Sequence, residues 1–373
     1  MTTTRRRFIT SASTGLLTAP AFGHVNNPAS GSSNEFDTIV IGGGFAGVTA
    51  AREASLRGLR VLLLEARARL GGRCLTLPLG NHDLDLGGTW IGWSQPHAWG
   101  EVMRYGLTVD ERAAAKPEEA IWFDNGKRVA TSYEKFAPIF ELASSTFYEP
   151  SRDAFPRPFS PRYTTALDRL DAVNAASAID GMKFNRTERD IARALASING
   201  HSPADHSSYL DQLRWFSLGD HNIWNLFDNL ARYRIRGGSK VLLDRMHEDS
   251  RCETRLRTPI VAVDHTGEFV TVTAKSGEKF RARTAIVTVP LNCWTDIDFH
   301  PHLDTAKLSV SKSRHTGSGT KLYAKIKGRR VLTECVAPPE SPLTMLWTEY
   351  DDVDSQIFVG FGASKDLLDI NSE

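Results

Sequence analysis

A chain of 373 residues, 41% hydrophobic and 24% charged, is long enough for two domains and can bury a sizeable core. Lysine plus arginine (45) nearly balances aspartate plus glutamate (44), so the basic excess of a nucleic-acid binder is missing and no nucleic-acid partner is expected. No apolar run approaches the roughly 18 uninterrupted residues of a membrane span, so no membrane partner is expected either.

At the N-terminus, Thr4-Arg5-Arg6-Arg7-Phe8-Ile9 resembles the twin-arginine export signal. A modest apolar stretch follows from Ile9 to Ala19, and Ala19-Pro20-Ala21 offers a small-x-small cleavage site. Residues 1–33 therefore read as export signal and linker, which implies a periplasmic or otherwise exported protein; a frayed basic terminus would leave it cytoplasmic.

Asp37 to Ile41 is a short, mostly β-branched run, as expected for a strand buried in a parallel sheet. It leads into Gly42-Gly43-Gly44-Phe45-Ala46-Gly47, where Gly42, Gly44 and Gly47 fit GxGxxG. These glycines permit a tight turn, backbone approach to a pyrophosphate, and close helix–strand packing. A helix is predicted over Val48 to Arg57, and its free amides would face the phosphates. Arg60 to Glu65 reads as the second strand, and Glu65 lies near the position, about 20 residues on, where an acid accepts from ribose hydroxyls.

Glu65-Ala66-Arg67-Ala68-Arg69-Leu70-Gly71-Gly72-Arg73 then resembles the E-A-R-x-R-x-G-G-R signature of the flavin-dependent amine oxidase family. Asp85-Leu86-Gly87-Gly88-Thr89-Trp90 resembles the family's G-G-x-[WY] segment beneath the isoalloxazine ring. The resemblance implies FAD as cofactor, with Gly42, Gly44, Phe45, Ala46, Gly47, Glu65, Ala66, Arg67, Gly72, Arg73, Gly87, Gly88, Thr89 and Trp90 around it. Arg73 can neutralise pyrophosphate charge by a forked contact.

Gln95-Pro96-His97-Ala98-Trp99, with Tyr105-Gly106-Leu107, looks like the helix leaving the flavin domain in bacterial amine oxidases, including those acting on nicotine-like amines. His97, beside Pro96 at a helix start, reads as structural. From about 108 to 232 helices and polar loops follow, with a hairpin at Asp124-Asn125-Gly126. His201, His206 and His221 stand near Asp205, Asp211 and Asp220 but lack the spacing of known metal sites, so they read as a solvated loop and helix face and no metal is expected. Cys74, Cys252, Cys293 and Cys335 show no CxxC spacing and read as isolated thiols, though export would permit a disulfide.

Tyr233 to Gly238 resembles the family's return to the flavin domain, followed by a helix from Ser239 to Met246. Two strands, 259–263 and 269–272, join at His265-Thr266-Gly267, and the resemblance places the Ile260 backbone at the adenine. Ala285 to Pro290 looks like the family's strand ending in [ST]-x-P. The implied fold class is α/β: a discontinuous Rossmann-like FAD-binding domain (34–95 and 233–296) with a second, α+β substrate domain (96–232 and 297–373).

Gly319 to Lys325 alternates like a strand. In the family a lysine on this strand points at flavin N5 and holds a water there; Lys321 matches it, with Lys325 as a rival. The implied chemistry is oxidation of an amine C–N bond to an imine, by hydride transfer to the flavin. Hydrolysis follows, and dioxygen or another acceptor reoxidises the cofactor. Trp90, Trp93 and Trp347 are candidate pocket walls. L-amino-acid oxidases place an arginine shortly after the G-G pair; Thr89-Trp90-Ile91-Gly92-Trp93 has none, which favours amines without a carboxylate. The expected partners are thus a small-molecule amine and an electron acceptor, with a homodimer left open.

Family members return once more to the flavin domain through a strand and a helix facing the flavin. Here Ile357 to Phe361 still reads as a substrate-domain strand and the sequence stops at Glu373, so roughly a fifth of the enzyme is expected to be absent. Two alternatives to an amine oxidase follow: a remnant that at most binds nucleotide, and an L-amino-acid oxidase.

Overall fold

The computed structural model describes residues 35–164 and 167–368, so the export reading of residues 1–33 lies outside the described residues. A seven-stranded sheet runs in the order Glu253–Arg255, Val61–Leu64, Glu35–Ile41, Lys279–Val287, Val270–Ala274, Ile260–Asp264, Asp298–His300. Glu35–Ile41 and Val61–Leu64 pair in parallel, Ile41 opposite Leu64. All four residues of Val61–Leu64 are buried, because both faces of the sheet are covered, and the run is therefore apolar throughout and does not alternate.

The first helix spans Phe45–Leu56 and so begins three residues before the expected Val48. Gly44 is extended and serves as its N-cap, which lets the glycine-rich turn run directly into the first helical turn. Val48 and Ala51 pack with Val40, Val61, Leu63 and with Leu242 and Met246 of the helix Ser239–Ser250. The helix Pro96–Arg104 joins this same core through Val102, while His97 sits exposed in its first turn.

The expected strand at Ala285 to Pro290 is instead the far end of a nine-residue strand, Lys279–Val287. Its first half pairs antiparallel with Val270–Ala274, burying Phe280 and Ala282 while Lys279, Arg281 and Arg283 face outward. That alternation marks a half-wet hairpin strand; the apolar Ala285 to Val289 stretch is the only part that reads as fully buried from sequence.

A second, six-stranded sheet has the order Thr320–Lys327, Ser355–Gly362, Met345–Asp351, Thr333–Val336, Glu119–Asp124, Lys127–Ser132. The predicted hairpin closes it: Asn125 (φ 48°) and Gly126 (φ 81°) both lie at positive φ, as a primed two-residue turn requires. Helices Tyr133–Phe147, Arg186–Gly200, Tyr209–Leu218 and Ile223–Ala231 share a core with it, built from Phe136, Phe140, Leu195, Leu213 and Trp347. Helix Arg186–Gly200 starts at a capping box of Asn185 and Glu188 and stops at His201, which is left-handed (φ 49°).

A short three-stranded sheet, Trp90–Ile91, Tyr233–Ile235 and Val109–Glu111, sets Trp90 directly opposite Arg234. All four cysteines are free thiols. Among the described residues no helix is long and apolar enough to cross a membrane.

Candidate functional site

A cavity of about 530 Å³ opens where the first two parallel strands end. Gly42, Gly44, Phe45, Ala46, Glu65, Ala66, Arg67, Gly72, Arg73 and Ile260 all line it. Gly47 lies behind the wall, and its role there is packing: a Cβ would stand 1.8 Å from the Gly42 carbonyl oxygen. Gly42 itself has φ +108°, a left-handed backbone that other residues rarely adopt. The helix Phe45–Leu56 has neither a side-chain cap nor an acidic residue in its first turn, so its amides and positive end are free for an anion.

Glu65 is buried, and its two oxygens accept from the amides of Gly43 and Arg67, each at 2.7 Å. These bonds lock the carboxylate at the cavity wall, and each oxygen keeps a lone pair for a ribose hydroxyl. Arg73 is exposed beside it. An anion-binding helix end, a fixed acid and a nearby arginine fit a dinucleotide.

At the Arg73–Cys74 end the cavity meets the loop Asp85 to Thr89. The Gly88 amide donates to the Arg73 carbonyl at 3.2 Å, and a Cβ on Gly87 would lie 1.9 Å from that same oxygen. Lys321 reaches this loop from its edge strand. Its Nζ donates to the carbonyls of Asp85 (2.7 Å) and Gly87 (3.0 Å) and to Thr89 Oγ1, and lies 4.5 Å from the Trp90 ring centre. Burial pushes the Lys321 pKa down to about 8, while Asp85 and Glu349 pull it up. Lys325, its rival, is exposed. The Asp85 carboxylate is buried and accepts from Thr76 Oγ1 (2.5 Å), the Ser239 amide and Ser239 Oγ (2.8 Å). It thereby ties the loop that Lys321 bonds to the start of the helix Ser239–Ser250, and burial raises its own pKa.

Beyond Trp90 lies a second pocket, about 180 Å³, walled by Trp90, Trp215, Phe227, Trp347 and Phe361 with several aliphatic side chains. Its polar lining is Asn199 and His201; no Asp, Glu, Lys or Arg lines it. Trp90, Trp347 and Phe361 pack ring to ring at centroid distances of 5.3–5.7 Å. Behind them Glu349, fully buried, accepts from Trp347 Nε1 (2.8 Å), Arg234 Nη1 (3.0 Å) and Trp90 Nε1 (3.3 Å). One carboxylate thus fixes two walls of the pocket, and Arg234 balances its charge.

Two sequence expectations change here. Trp93 is half exposed and takes no part in the wall. His201, though exposed, lines the pocket, because the helix Arg186–Gly200 ends at it and sets its ring edge-on to Phe361. Partial burial of the ring and the neighbouring Lys321 charge lower its pKa. His221 bonds Ser151 Oγ at 2.9 Å and His206 is exposed, so the three histidines lie in separate settings.

Residues 45–367 match the family model described as flavin containing amine oxidoreductase. The chain belongs to this family. It is 37% identical to pseudooxynicotine dehydrogenase of a Pseudomonas species over 346 residues, covering 91% of this chain and 69% of that protein. Nicotine dehydrogenase of Pseudomonas putida is 32% identical, covering 90% of this chain and 70% of its own length. The fold matches wild-type putrescine oxidase bound to putrescine with a TM-score of 0.74 at 21% identity, over 89% of this chain and 76% of that one. As a family member the protein is a flavoenzyme with FAD as cofactor that oxidises amine C–N bonds, and these matches support that reading over a nucleotide-binding remnant or an L-amino-acid oxidase.

Glu349, Arg234, Asp85 as an anchor, Asn199 and the placement of His201 escape the sequence reading. The one signal for Glu349 is a charged residue inside the strand-like run Met345–Asp351. Partners as distant in sequence as Trp90 and Arg234 give no local pattern.

Proposed function

We propose that this flavoenzyme oxidises an amine that lacks a carboxylate and is carried on a flat apolar or aromatic body, like the nicotine-type compounds in the names of its relatives. The observation that carries this is the absence of charged side chains from the aromatic pocket next to Lys321. An amino-acid carboxylate buried there would find no free cation, since Lys321 is held by three acceptors, and an unpaired buried charge costs several kcal/mol. A diamine would leave its second ammonium without a carboxylate. The flat walls of Trp90, Trp347 and Phe361 suit an aromatic ring, and His201 and Asn199 offer hydrogen bonds at its rim.

In this reading Gly42, Gly44, Phe45, Ala46, Gly72 and Arg73 cradle the cofactor's pyrophosphate, while Glu65, with Ala66 and Arg67, holds the ribose and the Ile260 backbone meets the adenine. Gly87, Gly88, Thr89 and Trp90 form the floor on the flavin side. When bound, FAD supplies the two-electron acceptor for the amine. Lys321, with its three donors held by the loop, sits at the junction of groove and pocket, and its charge disfavours a protonated amine, so the substrate reacts uncharged. The ring-packed wall excludes water.

The test is anaerobic mixing of the flavin-loaded protein with three compounds: a pyridyl-alkyl secondary amine, a simple diamine and an L-amino acid. Rapid loss of oxidised-flavin absorbance with the first alone is expected. Faster reduction by the diamine or the amino acid sinks the assignment. Peroxide release on admitting air distinguishes dioxygen from another acceptor.

Residues 1–33 we assign to twin-arginine export, supported by Arg5-Arg6-Arg7-Phe8 and the apolar stretch behind it. Changing Arg5 and Arg6 to lysine should retain the protein in the cytoplasm. Export at the wild-type level, read by cell fractionation, would reject it.

A further inference from the structure

We propose that Asp298, His300 and His302 form a binding site for one first-row divalent ion, with Zn²⁺ the best match. Among the described residues this is the one group of three or more His, Cys, Asp or Glu side chains whose ligand atoms converge, all lying within 4.8 Å of one another. It includes none of the histidines singled out in the sequence, and it stands independently of the proposed substrate.

The site is built from one short segment. Asp298 and His300 alternate on the last strand of the seven-stranded sheet and so project to one face. His300 Nε2 and Asp298 Oδ2 are already 2.9 Å apart, and the His302 ring lies 5.0 Å from that of His300, centroid to centroid. Zn²⁺ with nitrogen and oxygen ligands at about 2.0–2.2 Å needs ligand atoms roughly 3.3 Å from one another. Asp298 and His300 meet that spacing nearly as they stand. Closing the third edge takes rotation of His302, which is exposed and free to turn.

The surroundings favour a cation. Asp264 stands opposite His300 on the neighbouring strand, in parallel register, and adds a second carboxylate on that face. Lys312 is the cation nearby, lining with Asp298 and His302 an adjoining cavity of about 390 Å³. That cavity gives water access to the coordination positions the protein leaves open. Two imidazoles and one carboxylate form a borderline donor set that selects Zn²⁺, Ni²⁺ or Cu²⁺ over Mg²⁺ or Ca²⁺, which take oxygen ligands. Bound there, the ion would staple the sheet's edge strand to the chain that follows it.

The experiment uses the full, flavin-loaded chain, free of any affinity tag and stripped of metal by chelator dialysis. Zn²⁺ is titrated calorimetrically, and thermal unfolding is followed with and without the ion. One equivalent bound at about micromolar Kd is expected, with a rise in the unfolding temperature. His300→Ala and His302→Ala should each weaken binding at least tenfold and abolish the thermal shift, with flavin content unchanged. His206→Ala, at an exposed histidine elsewhere, should do neither. Binding no tighter than about millimolar, or equal binding by the His300→Ala/His302→Ala double variant, would overturn the proposal.

Discussion

Glu349→Gln should loosen the amine pocket and destabilise the protein, although Glu349 touches neither groove nor solvent. The carboxylate has three donors: Arg234 and Trp90 on Oε1 and Trp347 on Oε2. A glutamine amide offers one oxygen, so one donor must face an N–H₂ group, and Arg234 loses its counter-charge. A hydrogen bond to a charged group contributes about 1.5–3 kcal/mol, and breaking a buried ion pair from one side costs about 3–5 kcal/mol. The expected loss is therefore about 3 kcal/mol or more, read as a lower urea midpoint at unchanged slope. Arg234→Met in the same background removes the stranded charge, so the double variant should lose at least about 1 kcal/mol less than the sum of the singles. Kinetically, Trp90 and Trp347 become mobile while the loop Asp85 to Thr89, which holds Lys321, keeps its own anchor at Asp85. KM for the amine should then rise several-fold more than kcat falls. A Glu349→Gln protein with wild-type urea midpoint and wild-type KM would refute the reasoning.

Lys321→Met should retain flavin but slow amine oxidation or flavin reoxidation, measured as separate half-reactions by stopped flow; unchanged rates in both remove Lys321 from the site. With the Lys321 pKa lowered to about 8, raising the pH through 8 discharges it and relieves repulsion of a cationic amine. Because only the uncharged amine reacts, the protonated form should then compete for the pocket, and the wild-type pH profile should show an inflection near pH 8 that the methionine variant lacks. Gly47→Ala forces a methyl to within 1.8 Å of the Gly42 carbonyl oxygen, so strand and helix must separate at a cost of about 1–3 kcal/mol. The flavin-to-protein absorbance ratio of the purified variant should fall sharply, and a fully loaded variant would contradict this. Glu65→Arg should also empty the groove, by placing a cation against the Gly43 and Arg67 amides, and retained flavin after gel filtration would count against the ribose assignment.

The dinucleotide groove was legible in the residues themselves because its geometry is local. Gly42, Gly44 and Gly47 are needed within one turn, and Glu65 ends the adjoining strand, so backbone conformation alone spaces them. The Asn125-Gly126 hairpin was legible for the same reason, since two consecutive residues carry the positive φ angles that define it. Where a segment's role depends on what covers it, local pattern misleads: Lys279–Val287 is one strand, wet on one face at its start and partly covered toward its end. Trp90 and Trp347 were legible as candidate walls, but the rest of the pocket depended on tertiary structure. Glu349 in sequence is only a charge in a strand, and becomes the anchor of two tryptophans because the three-stranded sheet sets Trp90 opposite Arg234 against it. His201 acquires its place because a helix ends in the left-handed conformation beside Phe361. Burial decides the role of Glu349, since a carboxylate is kept out of water only where distant segments close over it and supply its hydrogen bonds.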